Sequence, residues 1–181
     1  MILLVGASAS GKTEVGKILL SKYGMKKAIT HTSRSIRPNE VDGVDYHFVS
    51  KEEFLSLWNE GKLIENTFYN GNYYGCSKAE ISEDKVVILD PNGLKKFQSL
   101  GDPTLITFLL TADEATRRKR MGIRGDEPGA IEKRIVNDRV AFSKEAIGDT
   151  DYVIATEGKS VEEIADLVYK TYQDRLKGGL R

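Results

Sequence analysis

Eight residues near the start of the chain, Gly6-Ala7-Ser8-Ala9-Ser10-Gly11-Lys12-Thr13, constrain its fold more than any other stretch. They join a wholly apolar run, Ile2-Leu3-Leu4-Val5, to a segment carrying Val15, Ile18 and Leu19 at helical spacing. A short run without polar residues predicts a strand buried on both faces, as in a parallel sheet, and the periodicity after it predicts a helix through Tyr23. Gly6 and Gly11 let the connection turn tightly and bring successive N–H groups toward phosphate oxygens, where a Cβ would crowd the approach. The helix N-terminus adds unpaired donors and positive potential. The stretch therefore reads as a phosphate-binding loop, with Gly6, Ala7, Ser8, Ala9, Ser10, Gly11, Lys12 and Thr13 as its cradle. In that reading Lys12 neutralises the terminal phosphates of a nucleoside triphosphate, and the Thr13 hydroxyl ligates the bridging Mg²⁺. A glycine-rich turn with no ligand is the bland alternative. The fixed positions of two glycines, a lysine and a threonine between strand and helix favour the phosphate site.

The alternation of strand and helix runs on with one interruption. Ala28 to Thr32 is expected as a second strand, and Ser33 to Gly43, too polar and broken for helix or core strand, as a functional loop. Tyr46 to Val49 reads as a strand, and Ser50 with Glu53 as a capping box before the apolar positions Phe54, Leu57 and Trp58. Leu63 to Tyr69 and Asn72 to Tyr74 read as a hairpin turning at Asn70-Gly71. The parallel pattern resumes at Val86 to Asp90, an apolar strand ending in a carboxylate, with a helix expected from Gly93 to Leu100 and a buried strand from Leu105 to Leu110. Thr111 and Glu114 predict a second capping box, opening a helix through Arg117-Arg118-Lys119-Arg120 that breaks at Gly122 and Gly125. A charged helix from Ala130 to about Ala141 and a last strand at Tyr152-Val153-Ile154 follow. The final amphipathic helix, capped by Ser160 and Glu163, carries Val161, Ile164, Leu167, Val168 and Tyr172, and residues 177–181 are expected to fray. The fold class is α/β, a P-loop NTPase-type parallel sheet flanked by helices. One domain over 1–181 is expected, with a core of 1–32, 77–115 and 148–176, an antiparallel insert at 33–76 and a helical lid at 116–147.

Charge narrows the partners. Lys+Arg and Asp+Glu both number 27, so the net charge is zero and no bulk attraction to nucleic acid or an anionic membrane is expected; any anion must be gripped locally. No apolar run approaches a membrane span, and the opening residues read as core strand, so a secretory leader is not expected and a cytoplasmic location is. Cys76 is the only cysteine, which excludes an internal disulfide and a multi-cysteine metal site. His31 and His47 lack ligand-like spacing and read as polar or hydrogen-bonding side chains.

The polar loop supplies a second constellation. Arg34 and Arg37 lie three apart before Pro38, and a pair of guanidinium forks can hold a phosphate, although two solvated arginines are the ordinary alternative. They belong to an ordered series: Thr30-His31-Thr32-Ser33-Arg34-Ser35-Ile36-Arg37-Pro38, then Glu40 through Ser50, then Glu65, then Gly71-Asn72-Tyr73-Tyr74-Gly75. With the phosphate loop before it and the basic segment after it, this series closely resembles guanylate kinases over nearly the whole chain. The resemblance implies an acceptor, GMP, and a donor, ATP with Mg²⁺, on a parallel core with a monophosphate-binding insert and a mobile lid. It implies that Thr30, Arg34, Arg37, Tyr46 and Tyr74 form the acceptor site around the GMP phosphate, and that Glu65 accepts from guanine N1–H and the N2 amine. A carboxylate is acceptor-only and complements two adjacent guanine donors, whereas adenine offers no such pair. Arg120, Arg124 and Arg134 match arginines that close over the transferring phosphoryl group, so that Lys12, Arg34, Arg120, Arg124 and Arg134 are the catalytic set. Arg117, Arg118 and Lys119 are read as a solvated basic face.

Departures from the family pattern are part of the reading. Ala9 replaces a glycine usual in the loop. Cys76 stands where a hydroxyl residue helps read the base, and Asn92 where a second carboxylate is usual, so both are substrate-site positions with altered chemistry. Asp90 is read equally as a Mg²⁺ or acceptor contact and as a plain strand-end carboxylate. Ala155-Thr156 replaces a common asparagine after the last strand. The expected reaction is ATP plus GMP giving ADP plus GDP, in purine nucleotide metabolism, by a monomer or homodimer with neither nucleic acid nor membrane as partner. The rivals are a kinase for another or several nucleoside monophosphates, and a non-catalytic binding module on the same fold.

Overall fold

The computed structural model describes residues 1–69 and 71–178. In chain order the elements are β1 (Ile2–Val5), α1 (Lys12–Tyr23), β2 (Lys26–Lys27), β3 (His31–Thr32), β4 (His47–Phe48), α2 (Lys51–Asn59), β5 (Thr67–Tyr69) and β6 (Asn72–Gly75). Then follow β7 (Lys85–Ile88), α3 (Pro91–Gln98), β8 (Ile106–Thr111), α4 (Glu114–Ile123), α5 (Pro128–Ala141), α6 (Lys144–Ile147), β9 (Tyr152–Ala155) and α7 (Val161–Lys177). The chain divides into two units, Met1–Lys26 with Val86 onward, and Lys27–Lys85.

The larger unit is built on β1. Its strand is flanked by β7 and β8, with β9 beyond β8, all paired in parallel, and the five-stranded order is β2-β7-β1-β8-β9. A central strand has sheet neighbours on both edges and helices on both faces, which is why all four of its side chains are apolar and buried. Alternation sends Ile2 and Leu4 to one face, where they meet Val15 and Leu19 of α1 and Val168 and Tyr172 of α7. Tyr23 stacks on Tyr169 with ring centroids 3.9 Å apart, fastening α1 to α7. The other face receives α3, whose Leu94 and Phe97 are fully buried. Parallel strands all end at the same edge of the sheet, so the loops after β1, β7 and β8 emerge together.

The smaller unit holds a four-stranded sheet of order β4-β3-β6-β5, antiparallel except for the β3–β4 pair. Phe54, the buried residue of α2, stacks on Tyr73 of β6 at 5.3 Å. Gly75 ends β6 where a Cβ would stand 2.4 Å from the Glu65 carbonyl oxygen and 3.0 Å from Phe54, so only glycine lets β6 and the Glu65 segment approach this closely.

Several local expectations change. Of the strand expected over Ala28 to Thr32 only the last two residues form one, β3, while β2 precedes that range and joins the other sheet; the Ile29 amide is taken by the Glu80 carboxylate at 2.8 Å instead of a neighbouring strand. Thr111 is the last residue of β8, and Asp113 caps α4 by accepting the Thr116 N–H at 2.6 Å. Helix α3 begins at Pro91, two residues before the expected start, since Pro91 suits the first turn and the Asp90 carboxylate caps it through Gly93 N–H at 2.7 Å. The short helix α6, capped by Ser143, lies in a stretch given no element from sequence. Trp58 is exposed and Leu57 half-buried, so α2 fully buries only Phe54; on α7 the expected apolar position Leu167 is exposed as well. Asn70 of the expected turn and terminal residues 179–181 lie outside the described residues.

Candidate active site

Both capping-box helices, α2 and α7, form as expected, but α1 starts differently: its N-cap is Gly11 at φ +103°, with no side-chain cap. Its first-turn N–H groups are thereby left for another acceptor, which is the arrangement an anion site needs. Gly6, at φ +153°, turns the chain out of β1 so closely past β8 that a Cβ would lie 2.2 Å from the Leu110 carbonyl oxygen. Between them the Lys12 ammonium folds under the loop and donates to the carbonyls of Gly6 (2.5 Å) and Ala7 (2.9 Å). Burial pulls its pKa down to about 8, with Asp138 resisting and Arg117 adding to the fall. Ser10 is fully buried at the centre of the turn, and Thr13 is exposed at its mouth.

Ala9 occupies left-handed backbone at φ +59°, a conformation that costs an L-residue about 1–2 kcal/mol and that glycine adopts freely. Its methyl packs against a small cluster of Met121, Ile131 and Ile135 from α4 and α5. The loop is thus tied to those helices. Arg120 reinforces the tie, donating to the Ala9 carbonyl at 3.1 Å and to Thr156 through both its side-chain oxygen (3.0 Å) and its carbonyl (3.1 Å). Thr156, fully buried, in turn donates to the Thr111 carbonyl. Arg124 and Arg134 converge on one carboxylate, Asp126, whose pKa the Arg124 guanidinium beside it holds below the usual range, with Arg134 adding. A cleft of about 350 Å³ opens beside the loop, lined by Lys12, Thr13, Arg120, Arg124, Lys159 and Val161 among others.

The basic helix departs from expectation at Arg117. Arg118 does lie on the surface, paired with Glu114 and Glu132, and Lys119 is exposed. Arg117 is only 5% exposed and pairs with Asp138 at 2.6 Å. A signal was present: Arg117 stands one helical turn before Met121, which is fully buried, so the helix period places both on the inward face. No local pattern marks Lys159 or Asp138: Lys159, in the turn before α7, lines the same cleft, and Asp138 of α5 meets the loop at Ser8, each from a part of the chain distant in sequence. Asp90 and Asn92 belong to this unit, Asp90 as the α3 cap and Asn92 exposed in its first turn.

The smaller unit gathers another set. Arg34 is 12% exposed at its side chain and forms a two-pronged pair with Glu40, at 2.8 and 3.0 Å; Glu40 also accepts the Arg37 N–H at 2.8 Å. The Arg34 guanidinium lies 5.4 Å from the Tyr46 ring centre, and Tyr46 meets Tyr74 edge to face at 6.2 Å. Glu40, with a smaller contribution from the Tyr74 hydroxyl, raises the Arg34 pKa further. Arg37 is exposed, and the Thr30 carbonyl accepts the His47 N–H at 2.9 Å. Glu65 is half-buried; its Oε1 accepts the Cys76 N–H at 3.1 Å. The Cys76 thiol is buried, directed at the Ser77 carbonyl, and pushed up to about 12 by burial, with Glu65 and Glu80 adding. The His31 and His47 rings meet at 4.7 Å with their planes tilted 40° apart, and His47 approaches Glu80. Among the described residues no group of three histidine, cysteine or acidic side chains is placed to hold a metal ion.

A central parallel strand running through a glycine-hinged anion loop into an uncapped helix, with a lysine beneath the loop and arginines around its cleft, defines a P-loop nucleotide-binding protein. The guanylate kinase family model matches residues 1–174. The guanylate kinase of Vibrio parahaemolyticus serotype O3:K6 is 31% identical over 167 residues, covering 87% of this chain and 80% of that protein. That of Anaplasma phagocytophilum is 32% identical over 178 residues, covering 93% of this chain and 83% of that protein. The crystal structure of guanylate kinase from Anaplasma phagocytophilum superposes with a TM-score of 0.58 at 26% identity, covering 95% of this chain and 84% of that one. This chain belongs to the guanylate kinase family, and its class is that of the nucleoside monophosphate kinases, transferases that use ATP.

Proposed function

We propose that the chain transfers the terminal phosphoryl group of ATP to GMP, giving ADP and GDP, and that the two constellations described above serve donor and acceptor respectively. The observation that carries the acceptor half is the Arg34–Tyr46–Tyr74 cluster in the same small unit as the Glu65 carboxylate. One end offers a cation and two hydroxyls for a phosphate; the other offers an acceptor-only group for the paired donors of guanine.

Phosphoryl transfer asks little covalent chemistry of the protein, so the residues act by position and charge. Lys12 exchanges the Gly6 and Ala7 carbonyls for phosphate oxygens, and within the loop Gly6 to Thr13 the N–H groups of Gly11, Lys12 and Thr13 complete the cradle. Arg34 and Arg37, with Tyr46, Tyr74 and Thr30, hold the acceptor phosphate in line, Arg34 leaving Glu40 to do so. Glu65 reads the base, beside the thiol of Cys76. Arg120, Arg124 and Arg134, on the helical segment 116–147 acting as lid, stabilise the transferring group. Breaking the Arg124 and Arg134 pairs with Asp126 is part of that movement. No side chain is required as general base.

The donor set suits Mg²⁺. Thr13 presents an exposed hydroxyl in the first turn of α1, and Asp90 a carboxylate just past β7, the parallel neighbour of β1; both are hard oxygen ligands, and a metal held largely by phosphates needs no all-protein cage. Bound there, the ion would neutralise developing charge on the nucleotide phosphates. Asn92, on the α3 first turn, is proposed as an acceptor-side contact. The proposed setting is the cytoplasm, with the enzyme a monomer or homodimer; among the described residues no helix is long and apolar enough to cross a membrane.

The test is ADP release from ATP and Mg²⁺ with GMP, dGMP, AMP, CMP or UMP as acceptor, with Lys12→Ala as the blank. GMP-dependent turnover that vanishes in the blank is expected. Turnover preferring AMP or a pyrimidine nucleotide would overturn the acceptor assignment, and failure to bind ATP would overturn the kinase reading.

A further inference from the structure

The outer limb of the phosphate loop, Ser8-Ala9, makes its side contacts with α4 and α5. The Ser8 N–H donates to Oδ2 of Asp138 on α5 at 2.9 Å. The same oxygen receives Nη1 of Arg117 on α4 at 2.6 Å, and that Nη1 also lies 3.5 Å from the Ser8 carbonyl. Arg117 and Asp138 are buried together, with side chains 6% and 11% exposed. One carboxylate oxygen thus serves a loop amide and a cation at once. Arg117 Nε, by contrast, is buried with no partner.

Stability alone is a poor reason for such a pair. Two charges taken out of water are often matched or bettered by apolar side chains of the same size, and an unpartnered guanidinium N–H adds to the cost. What an apolar pair could not do is accept the Ser8 N–H. Holding that amide away from the cradle fixes the orientation of the Ser8 peptide, and with it the path by which the chain reaches Ala9 in left-handed backbone.

We infer that Arg117 and Asp138 are a positioning pair for the donor phosphates, acting through Ser8: Asp138 sets the orientation of the loop's outer limb, and Arg117 sets Asp138. The inference rests on the donor half of the function proposed above and does not depend on the acceptor. Neither residue lines the cleft beside the loop. The pair joins both helices of the segment carrying Arg120, Arg124 and Arg134 to the loop that holds ATP, so a shift of α5 alters the cradle itself.

Calorimetric titration with ATP and Mg²⁺ in the absence of acceptor tests this, together with melting temperature and the KM for GMP. Asp138→Leu alone would strand a buried cation, so the informative variant is the double substitution Arg117→Met with Asp138→Leu. A positioning role predicts wild-type melting, an ATP Kd raised on the order of tenfold, and an unchanged KM for GMP, because small misplacements of a binding group are costly only to the ligand it serves. Wild-type ATP affinity in a folded double variant would overturn the inference. If the double variant does not fold, Asp138→Asn decides: it keeps the shape and weakens the acceptor, and should raise the ATP Kd by about threefold with the KM for GMP unmoved, while Arg117→Lys alone, leaving a cation beside the intact Asp138, keeps most of the affinity. An Asp138→Asn protein with unaltered ATP affinity, or with ATP and GMP affinities falling together, would show a structural role only. Wild-type protein that binds ATP but does not use GMP would sink the acceptor assignment and leave this inference standing.

Discussion

Replacing Gly6 with alanine tests the loop geometry most directly. The added Cβ would stand 2.2 Å from the Leu110 carbonyl oxygen, 2.7 Å from Ser10 Oγ and 3.2 Å from the Leu110 carbonyl carbon. Ordinary contact begins near 3.4 Å, so the carbonyl would have to retreat by more than 1 Å. It has nowhere to go, since Leu110 is paired with Ile154 in the interior of the parallel sheet. Forced overpacking of this kind costs about 1–3 kcal/mol, and a backbone angle of +153° for a residue with a Cβ adds about 1–3 kcal/mol. The total, about 2–6 kcal/mol, is a large part of the roughly 5–15 kcal/mol that holds a domain folded. Gly11→Ala is the internal control: its φ is +103°, yet nothing lies within 4 Å of the added Cβ, so it bears the backbone cost alone. Urea unfolding followed by fluorescence should place the midpoint of Gly6→Ala about 1–3 M below wild type, and clearly below that of Gly11→Ala. Equal midpoints for the two variants would refute the steric argument.

Lys12→Met should abolish ATP binding without lowering the melting temperature, because the ammonium is buried against its preference; a wild-type titration curve would contradict the role given to Lys12. Glu65→Gln turns one acceptor oxygen into a donor and should raise the KM for GMP by about ten- to a hundredfold, a change that steady-state assays with GMP and AMP would reveal, and an unaltered GMP-to-AMP preference would remove Glu65 from the base site. Cys76, with its pKa pushed up to about 12, is thiolate to only about one part in ten thousand at pH 8, so iodoacetamide should leave the native protein unlabelled while modifying it in urea; rapid native labelling would mean the thiol is open to solvent.

The core was legible because its signals are local and redundant. Ile2 to Val5 is apolar at every position as only a central strand needs to be, and the capping boxes at Ser50 and Ser160 are written within four residues each. The loop was legible as well, since glycine at 6 and 11 answers to backbone angles that other residues resist. Where expectation failed, a partner distant in sequence decided. Glu80 interrupts the strand at Ile29, and nothing near Ile29 announces it. Arg117 looked like one more arginine in a basic run until Asp138, 21 residues on, claimed it. Asp90 looked like a strand-end carboxylate or a ligand, and its capping of α3 follows from Pro91, which starts the helix earlier than the apolar pattern indicates.

Three of the arginines assigned to phosphate share a feature whose consequence reaches past catalysis. Arg34 is clasped by Glu40, and Arg124 and Arg134 by Asp126, so these guanidinium groups come with an anion of their own chain attached. A visiting anion must displace a carboxylate that is covalently part of the protein and therefore always at hand. Inorganic phosphate and sulfate, offering one charged head and no base, have little to set against that competition. A nucleotide brings further contacts and can win. Built-in rivals of this kind make the protein discriminating among the crowded anions of a cell, at the cost of some affinity for the right one.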